Sequence, residues 1–320
     1  MFEKYFYITL LAFVGILKSY VWVEYPHEVR YFYLTVENQN AKMAYMDVGP
    51  SAAPQKTIVL LHGKNFNGYY WKQVINGLVD KGYRVIVPDQ LGWGKSDKPD
   101  LHYSFHMLAS NTKALLDSLK IEKATVLGHS MGGMLAVRFA FLYPQMVDRL
   151  VLENPIGLED YKAFVPYQPL VKIYDKEKKA TYESYKKYQQ SYYPVWKPEY
   201  EQYVKAQAEA LSDPAFSKIA WVNAVTYEMI YEQPVVYELS SLTVPTLLII
   251  GQADRTVVGK DLLTEAQKAQ YGQYPALGKK AHQSIRNSKL IEMEGVGHIP
   301  HVQDFERFQA SLLKFLARRA

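Results

Sequence analysis

The sequence contains no cysteine among its 320 residues. This absence excludes disulfide bonds, metal sites built on thiolates and cysteine nucleophiles. It does not identify the cellular compartment, because a secreted bacterial protein of this size can be stable without disulfides. A strong charge of one sign is also missing, since 37 Lys+Arg against 32 Asp+Glu leave a net charge of +5. So mild a charge predicts no nucleic-acid partner.

The composition is that of a globular protein with an excess of tyrosine. Hydrophobic residues make up 48% and charged residues 22% of the chain, which argues against a disordered chain or a coiled coil. The length suits about two ordinary domains, or one large α/β domain with an insertion. Tyrosine, with 27 residues, is used well above its ordinary frequency.

The N-terminus carries a short apolar segment. Residues 5–17 are mostly apolar and are followed by Lys18, a length typical of a signal peptide and short for a membrane-spanning helix. Residues 19–23 lack a clear cleavage site with small residues. We therefore expect residues 1–25 to be a signal peptide or a membrane anchor, and the protein to be periplasmic or secreted. The alternative is a buried first helix in a cytoplasmic protein.

Strands and helices alternate after residue 26. A hairpin is predicted from residues 31–37 and 41–47, joined by Asn38-Gln39-Asn40. Apolar runs typical of buried strands lie at 57–61, 84–88, 124–128, 150–153, 246–251 and 290–293. Segments with helical spacing lie at 71–81, 104–119, 131–143, 264–271 and 305–319. This alternation predicts an α/β fold, a parallel sheet with helices on both faces.

One long segment interrupts the alternation. The pattern of residues 154–242 predicts short helices that are rich in Tyr, Lys and Gln and are interrupted by prolines. Of the 27 tyrosines, 13 lie between Pro155 and Leu242. Tyrosine packs as an aromatic residue and keeps a polar tip, which suits helices that cover a wet pocket. We therefore expect a core formed by residues 26–153 and 243–320, with a helical cap at 154–242.

A serine motif lies between a predicted strand and a predicted helix. Gly128-His129-Ser130-Met131-Gly132 has the G-x-S-x-G pattern of a nucleophile elbow. A serine in so tight a turn is strained, and small residues two positions before and after it let the strand and helix approach. The turn raises the serine Oγ above the sheet, at the N-terminus of the helix. With no thiol to compete, Ser130 is the predicted nucleophile.

A serine nucleophile needs a base and an orienting acid. His298 lies in the loop after the last predicted strand and is the expected base, with His301 as the alternative. Asp254 follows the preceding strand and is the expected acid, with Glu153, at the end of the strand after the elbow helix, as the alternative. The order serine, aspartate, histidine along the chain is that of α/β hydrolases.

Two backbone N–H groups are expected to form the oxyanion hole. One belongs to Met131, the residue after the nucleophile. The other belongs to Lys64, which follows Gly63 in the loop after the strand at 57–61. Each such donor typically stabilises the transition state by about 3 kcal/mol.

Together these stretches resemble the α/β-hydrolase superfamily, in its capped serine-hydrolase branch. The matching segments are Leu61-His62-Gly63, Asp89-Gln90-Leu91-Gly92-Trp93-Gly94-Lys95-Ser96-Asp97, Gly128-His129-Ser130-Met131-Gly132-Gly133, Gly251-Gln252-Ala253-Asp254 and Gly297-His298. The resemblance implies about eight strands, a cap, and hydrolysis by a Ser-His-Asp triad without metal or cofactor. It is nearest to esterases, C–C bond hydrolases, proline iminopeptidase-like enzymes and cofactor-free haloperoxidase-like enzymes. Haloalkane dehalogenases and epoxide hydrolases carry an aspartate where this chain has Ser130.

The expected function is hydrolysis of a small-molecule ester, amide or lactone through an acyl-enzyme on Ser130. A C–C bond hydrolase and a cofactor-free perhydrolase would use the same triad, and a ligand-binding receptor that retains the triad is the alternative from another class. The partner is a small-molecule substrate, with membrane association through the N-terminus as an option and either a monomer or a dimer. The residues expected to line the pocket are Phe66, Trp196, Trp221, Tyr227 and Tyr231.

Overall fold

The computed structural model describes residues 23–52, 54 and 56–317. The first 22 residues of the predicted signal peptide or anchor therefore lie outside the described part of the chain. Within that part, no helix is both long enough and apolar enough to cross a membrane.

An eight-stranded sheet forms the centre of the fold. Its strands are β1 (Val29–Val36), β2 (Gln39–Val48), β3 (Thr57–Leu61), β4 (Arg84–Pro88), β5 (Ala124–His129), β6 (Val147–Glu153), β7 (Thr246–Gly251) and β8 (Ser288–Met293). They lie in the order β1-β2-β4-β3-β5-β6-β7-β8. The pairs β1–β2 and β2–β4 are antiparallel and the other five are parallel. The predicted mostly parallel sheet is confirmed.

Helices cover both faces of the sheet. The α-helices of the described residues are α1 (Lys72–Val79), α2 (Phe105–Ser118), α3 (Met131–Leu142), α4 (Leu170–Glu177), α5 (Tyr182–Gln190), α6 (Glu201–Ala208), α7 (Phe216–Glu232), α8 (Glu265–Gln270), α9 (Tyr274–Ser284), α10 (Pro300–Gln303) and α11 (Phe305–Leu316). Successive side chains of a strand point to opposite faces. Val59 and Leu61 of β3 therefore pack with α2, α3 and α9, while Ile58 and Leu60 pack with α1 and α11.

Beyond shifts of a few residues at the ends of elements, the structure corrects the prediction at one turn and adds the helices α9 and α10 to the core. The hairpin turn is Glu37-Asn38, not Asn38-Gln39-Asn40, because these two residues have φ of 47° and 61°, as a two-residue turn between twisted strands requires. Helix α9 was missed because Pro275 and Gly278 weaken its helical pattern. The proline is tolerated because it lies in the first turn, where the missing N–H leaves no acceptor unpaired.

Four helices, α4–α7, lie in the insertion between β6 and β7, the segment predicted as a cap. Helix α4 packs on α7, and α5 packs on α6. The chain after α5 reaches the core, where the carbonyl of Tyr192 accepts a hydrogen bond from the backbone N–H of His298 at 2.8 Å. This contact joins the insertion to the loop that carries the expected base.

Candidate active site

Ser130 occupies a strained turn between β5 and α3. Its φ of 56° and ψ of −120° fall in a region of backbone conformation that residues other than glycine rarely adopt, at a typical cost of about 1–3 kcal/mol. The turn is held in place because Ser130 N–H donates to the carbonyl of Glu153 at 3.2 Å. A Cβ on Gly132 would lie 2.1 Å from the carbonyl oxygen of Leu61, so only glycine allows α3 to approach β3 this closely.

Three buried side chains form a continuous hydrogen-bonded chain. Ser130 Oγ lies 2.9 Å from His298 Nε2, and His298 Nδ1 lies 2.7 Å from Asp254 Oδ2. Because an ionised carboxylate only accepts, His298 donates its Nδ1–H to Asp254 and its Nε2 is free to accept from the serine. The exposed fractions of the three residues are 6%, 0% and 2%. This arrangement can deprotonate the serine hydroxyl as it attacks an electrophile.

Asp254 is held as a carboxylate. It accepts hydrogen bonds from Asn154 Nδ2 at 2.7 Å and from the Thr256 N–H at 2.8 Å, in addition to that from His298. Burial by itself would raise its pKa, but the nearby imidazole and these hydrogen bonds outweigh burial, so that the pKa of Asp254 lies below its ordinary value. Asn154 was not predicted as a site residue, because in the sequence it is only the first residue of the insertion.

The alternative acid and the alternative base pair with each other. The Glu153 carboxylate accepts hydrogen bonds from the backbone N–H of His301 at 2.7 Å and from its Nδ1 at 2.9 Å. The His301 ring stacks on Trp71 with 4.2 Å between centroids. Neither residue contacts Ser130 Oγ, so the structure brings Asp254 and His298 to the serine and leaves Glu153 and His301 in a separate buried pair.

The loop after β3 lies directly against the elbow. A Cβ on Gly63 would lie 3.2 Å from the Cβ of Ser130, which places the next residue, Lys64, beside the nucleophile. Met131 begins α3, and the first N–H groups of a helix have no acceptor within it. Both expected oxyanion donors therefore lie at the elbow. The Lys64 ammonium, 4.0 Å from Glu177 of α4, reaches the insertion.

Ser130 lines a cavity of about 770 Å³ between the core and the insertion. Its lining combines charged side chains with seven aromatic ones, namely Tyr25, Phe66, Trp93, Tyr185, Tyr188, Tyr192 and Tyr227. The Tyr192 ring stacks on His298 with 4.8 Å between centroids, and its hydroxyl accepts a hydrogen bond from Asn65 Nδ2 at 2.8 Å. The sequence did not single out Tyr192, because nothing local distinguishes it from the other tyrosines of the insertion.

Of the five residues expected to line the pocket, Phe66 and Tyr227 line the cavity and three do not. Trp196 packs against Tyr193 and Tyr200. Trp221 donates its indole N–H to Asp100 at 2.8 Å, and Tyr231 donates its hydroxyl to the carbonyl of Val165 at 3.1 Å. The expectation is corrected for these three, because packing within the insertion and contacts with loops direct their rings away from the serine.

The described residues include no group of three or more His, Asp or Glu side chains placed to hold a metal ion.

Comparisons with known proteins agree with this geometry. A family model described as alpha/beta hydrolase fold matches residues 56–305. The crystal structure of a "probable hydrolytic enzyme" from Pseudomonas aeruginosa PAO1 is 46% identical, with a TM-score of 0.90 over 92% of this chain and 96% of that chain.

Two curated relatives match over shorter stretches. The 2-hydroxy-6-oxononadienedioate/2-hydroxy-6-oxononatrienedioate hydrolase of Paraburkholderia xenovorans is 41% identical over 129 residues, 39% of this chain and 43% of that protein. A haloalkane dehalogenase of Mycolicibacterium paratuberculosis is 30% identical over 161 residues, 46% of this chain and 53% of that protein. The chain thus spans about half the length of these two relatives.

Proposed function

The chain belongs to the alpha/beta hydrolase family, and we propose that within this family it is a serine hydrolase acting on a small-molecule ester, amide or lactone. The observation that carries the proposal is the unbroken chain of hydrogen bonds from Ser130 Oγ through His298 to Asp254. Ser130, at one end of this chain, lines the cavity. Because the nucleophile position holds a serine, we do not extend the dehalogenase's activity to this chain.

The proposed reaction is acyl transfer in two halves. Ser130 Oγ attacks the substrate carbonyl while His298 Nε2 takes its proton, and the carboxylate of Asp254 stabilises the resulting imidazolium. The N–H groups of Lys64 and Met131 bind the oxyanion. His298 then protonates the leaving group, and a water molecule repeats the sequence to release the acid and restore Ser130.

The insertion is proposed to act as a cap that selects the substrate. This proposal is supported by the cavity wall, to which Tyr188, Tyr192 and Tyr227 of the insertion contribute. C–C bond hydrolysis is the second candidate, supported by the 41% identical stretch shared with the oxononadienedioate hydrolase. It uses the same three side chains, so only a substrate comparison separates the two.

Export of the protein is also proposed, on the apolar sequence of residues 5–17. N-terminal sequencing of the protein recovered from fractionated cells tests it. An intact Met1 in the soluble cytosolic fraction would contradict export.

Replacement of the nucleophile tests the enzymatic proposal. Ser130→Ala should abolish turnover of a short p-nitrophenyl ester and labelling by a fluorophosphonate. The variant should still unfold in a cooperative thermal transition, as a folded protein does. Ser311→Ala, at a half-buried position of α11 that does not line the cavity, is the matched control and should keep full activity. Turnover by Ser130→Ala at the wild-type rate would rule out the assignment.

The wild-type protein should then be tested with an ester, an amide, a lactone and a vinylogous 1,5-diketone, with Ser130→Ala as the inactive reference. Cleavage of the diketone faster than the ester would favour the C–C hydrolase, and the reverse order would favour acyl transfer from oxygen or nitrogen.

A further inference from the structure

A second hydrogen-bonded chain runs behind the nucleophile, on the side away from the cavity. The backbone N–H of Gly63 donates to the Tyr70 hydroxyl at 3.0 Å. The Tyr70 hydroxyl lies 3.1 Å from His129 Nδ1, and His129 Nε2 lies 2.8 Å from the carbonyl oxygen of His298. Two side chains thus connect the loop after β3 to the loop that carries the base.

The chemistry of its ends gives this chain one direction. The Gly63 N–H can only donate and the His298 carbonyl can only accept. Tyr70 therefore accepts from Gly63 and donates its own proton to His129 Nδ1. His129 then carries its proton on Nε2 and donates it to His298. Every donor in the chain meets one acceptor, and the imidazole of His129 is neutral.

Burial supports this protonation state. Tyr70 is 3% exposed and His129 is fully buried. Burial, followed by the neighbouring His298 and His301, lowers the pKa of His129 well below its ordinary value. Burial also raises the pKa of the Tyr70 phenol, so the tyrosine keeps the proton that it donates.

We propose that Tyr70 and His129 are positioning residues that keep the oxyanion loop and the His298 loop in register around Ser130. The inference rests on the proposed serine-hydrolase function. Neither side chain lines the cavity, so neither contacts substrate. Their effect passes through Gly63, whose successor Lys64 supplies an oxyanion donor, and through the backbone of His298. Geometry errors of about 0.5 Å in such groups are enough to reduce catalysis.

The test compares two deletions of a single buried hydroxyl. Tyr70→Phe keeps the ring that stacks on Phe66 and removes only the link between Gly63 and His129. Tyr161 is a matched control because its buried hydroxyl also accepts a glycine N–H, that of Gly157 at 3.1 Å, without lining the cavity. Both variants should lose similar thermal stability.

For the p-nitrophenyl ester, Tyr70→Phe should lower kcat about 10-fold or more, short of the 10²–10³-fold loss of a whole oxyanion donor, with KM within about twofold. Tyr161→Phe should leave kcat unchanged. Equal kcat values in the two variants at the same loss of Tm would overturn the proposal.

A second pair of variants covers the case in which Tyr70→Phe does not fold. His129→Gln keeps an N–H that can donate to the His298 carbonyl, whereas His129→Leu cannot donate. A positioning role requires the glutamine variant to retain at least several-fold more kcat than the leucine variant, and equal kcat values would contradict it.

The Ser130→Ala variant separates the two hypotheses. If it retains turnover, the proposed function fails. If it is inactive while Tyr70→Phe behaves like Tyr161→Phe, the function stands and only the positioning role of Tyr70 and His129 fails.

Discussion

The carboxylate of Asp254 accepts three hydrogen bonds, from His298, Thr256 and Asn154. This set fixes the orientation of the His298 ring, because Nδ1 is tied to the carboxylate and Nε2 is left facing Ser130. A carboxylate in this position acts by holding one tautomer and by stabilising the imidazolium.

Replacement of this carboxylate by an amide tests which acid serves the base. Asp254→Asn should lower kcat by about 10⁴-fold, because the amide can present its N–H to Nδ1 and favour the wrong tautomer. Glu153→Gln, the matched carboxylate-to-amide change, should lower kcat less than about tenfold. It should lower the free energy of unfolding by about 1–3 kcal/mol, because it disrupts the buried pair with His301. Steady-state kinetics and urea unfolding measure both. A severe kinetic loss in Glu153→Gln with a mild one in Asp254→Asn would move the acid to Glu153.

At this scale the sequence indicated residue types and chain order, and left Glu153 and His301 as open alternatives. In the structure these two residues form an acid–histidine pair of their own, whose histidine does not contact Ser130 Oγ. Asn154, Tyr70 and Tyr192 carry no local signal, because each acts on a partner at least seven residues away along the chain.

At the scale of elements, the elbow depends on the contact between β3, β5 and α3. The Cβ absent from Gly132 would lie 2.1 Å from the backbone oxygen of Leu61, and that absent from Gly128 would lie 2.0 Å from the carbonyl oxygen of Gly132. Backbone atoms cannot move aside as a flexible side chain can.

Gly132→Ala should therefore destabilise the protein by about 3 kcal/mol, a value at the upper end of ordinary overpacking, and should displace the elbow. Thermal unfolding and fluorophosphonate labelling measure the two effects. Gly49→Ala is the control, since nothing lies within 4 Å of its added methyl group, and it should change neither. Wild-type stability of Gly132→Ala would contradict the close approach of α3 to β3.

Periodicity predicted most elements because buried parallel strands and amphipathic helices have strong local patterns. It misplaced the β1–β2 turn and missed α9. The turn depends on the φ angles of Glu37 and Asn38. Helix α9 depends on Ile250 of β7, against which Gly278 packs. The position of the turn follows from the register of β1 and β2, in which Val36 pairs with Gln39, and α9 packs on β7; the local pattern shows neither contact.

At the scale of the whole molecule, two of the four buried histidines, His62 and His129, have pKa values below the ordinary value. Burial lowers the pKa of His62, and burial with the neighbouring His298 and His301 lowers that of His129 further. In the unfolded chain both titrate near 6.5. Below that pH the unfolded state binds protons that the folded state does not. The contribution of the two histidines to the free energy of unfolding is therefore fully present above pH 6.5 and is lost as the pH decreases.

Each such histidine should reduce the free energy of unfolding by about 1.4 kcal/mol per pH unit between pH 6.5 and the lowered folded pKa. Urea unfolding at pH 7.5, 6.0 and 5.0 measures the slope. His129→Gln removes one of the two groups and should show a shallower slope than the wild type. The carboxyl of Asp254, with its lowered pKa, adds to the loss only at lower pH, below about 4. Identical slopes in the wild type and His129→Gln would contradict a neutral His129.

The sequence by itself determined the alternation of strands and helices in the core except for α9 and α10, the elbow at Ser130 and the positions of Asp254 and His298 at the ends of their strands. These features have a local cause, because periodicity, small residues and turn chemistry act within a few residues. Tertiary structure decided which acid meets which histidine, which tyrosines face the cavity, and that Tyr70 and His129 join two loops behind the serine. Those outcomes depend on contacts between residues that are far apart in the chain and meet only when the segments pack together. The order of residues along one element carries no pattern for such contacts.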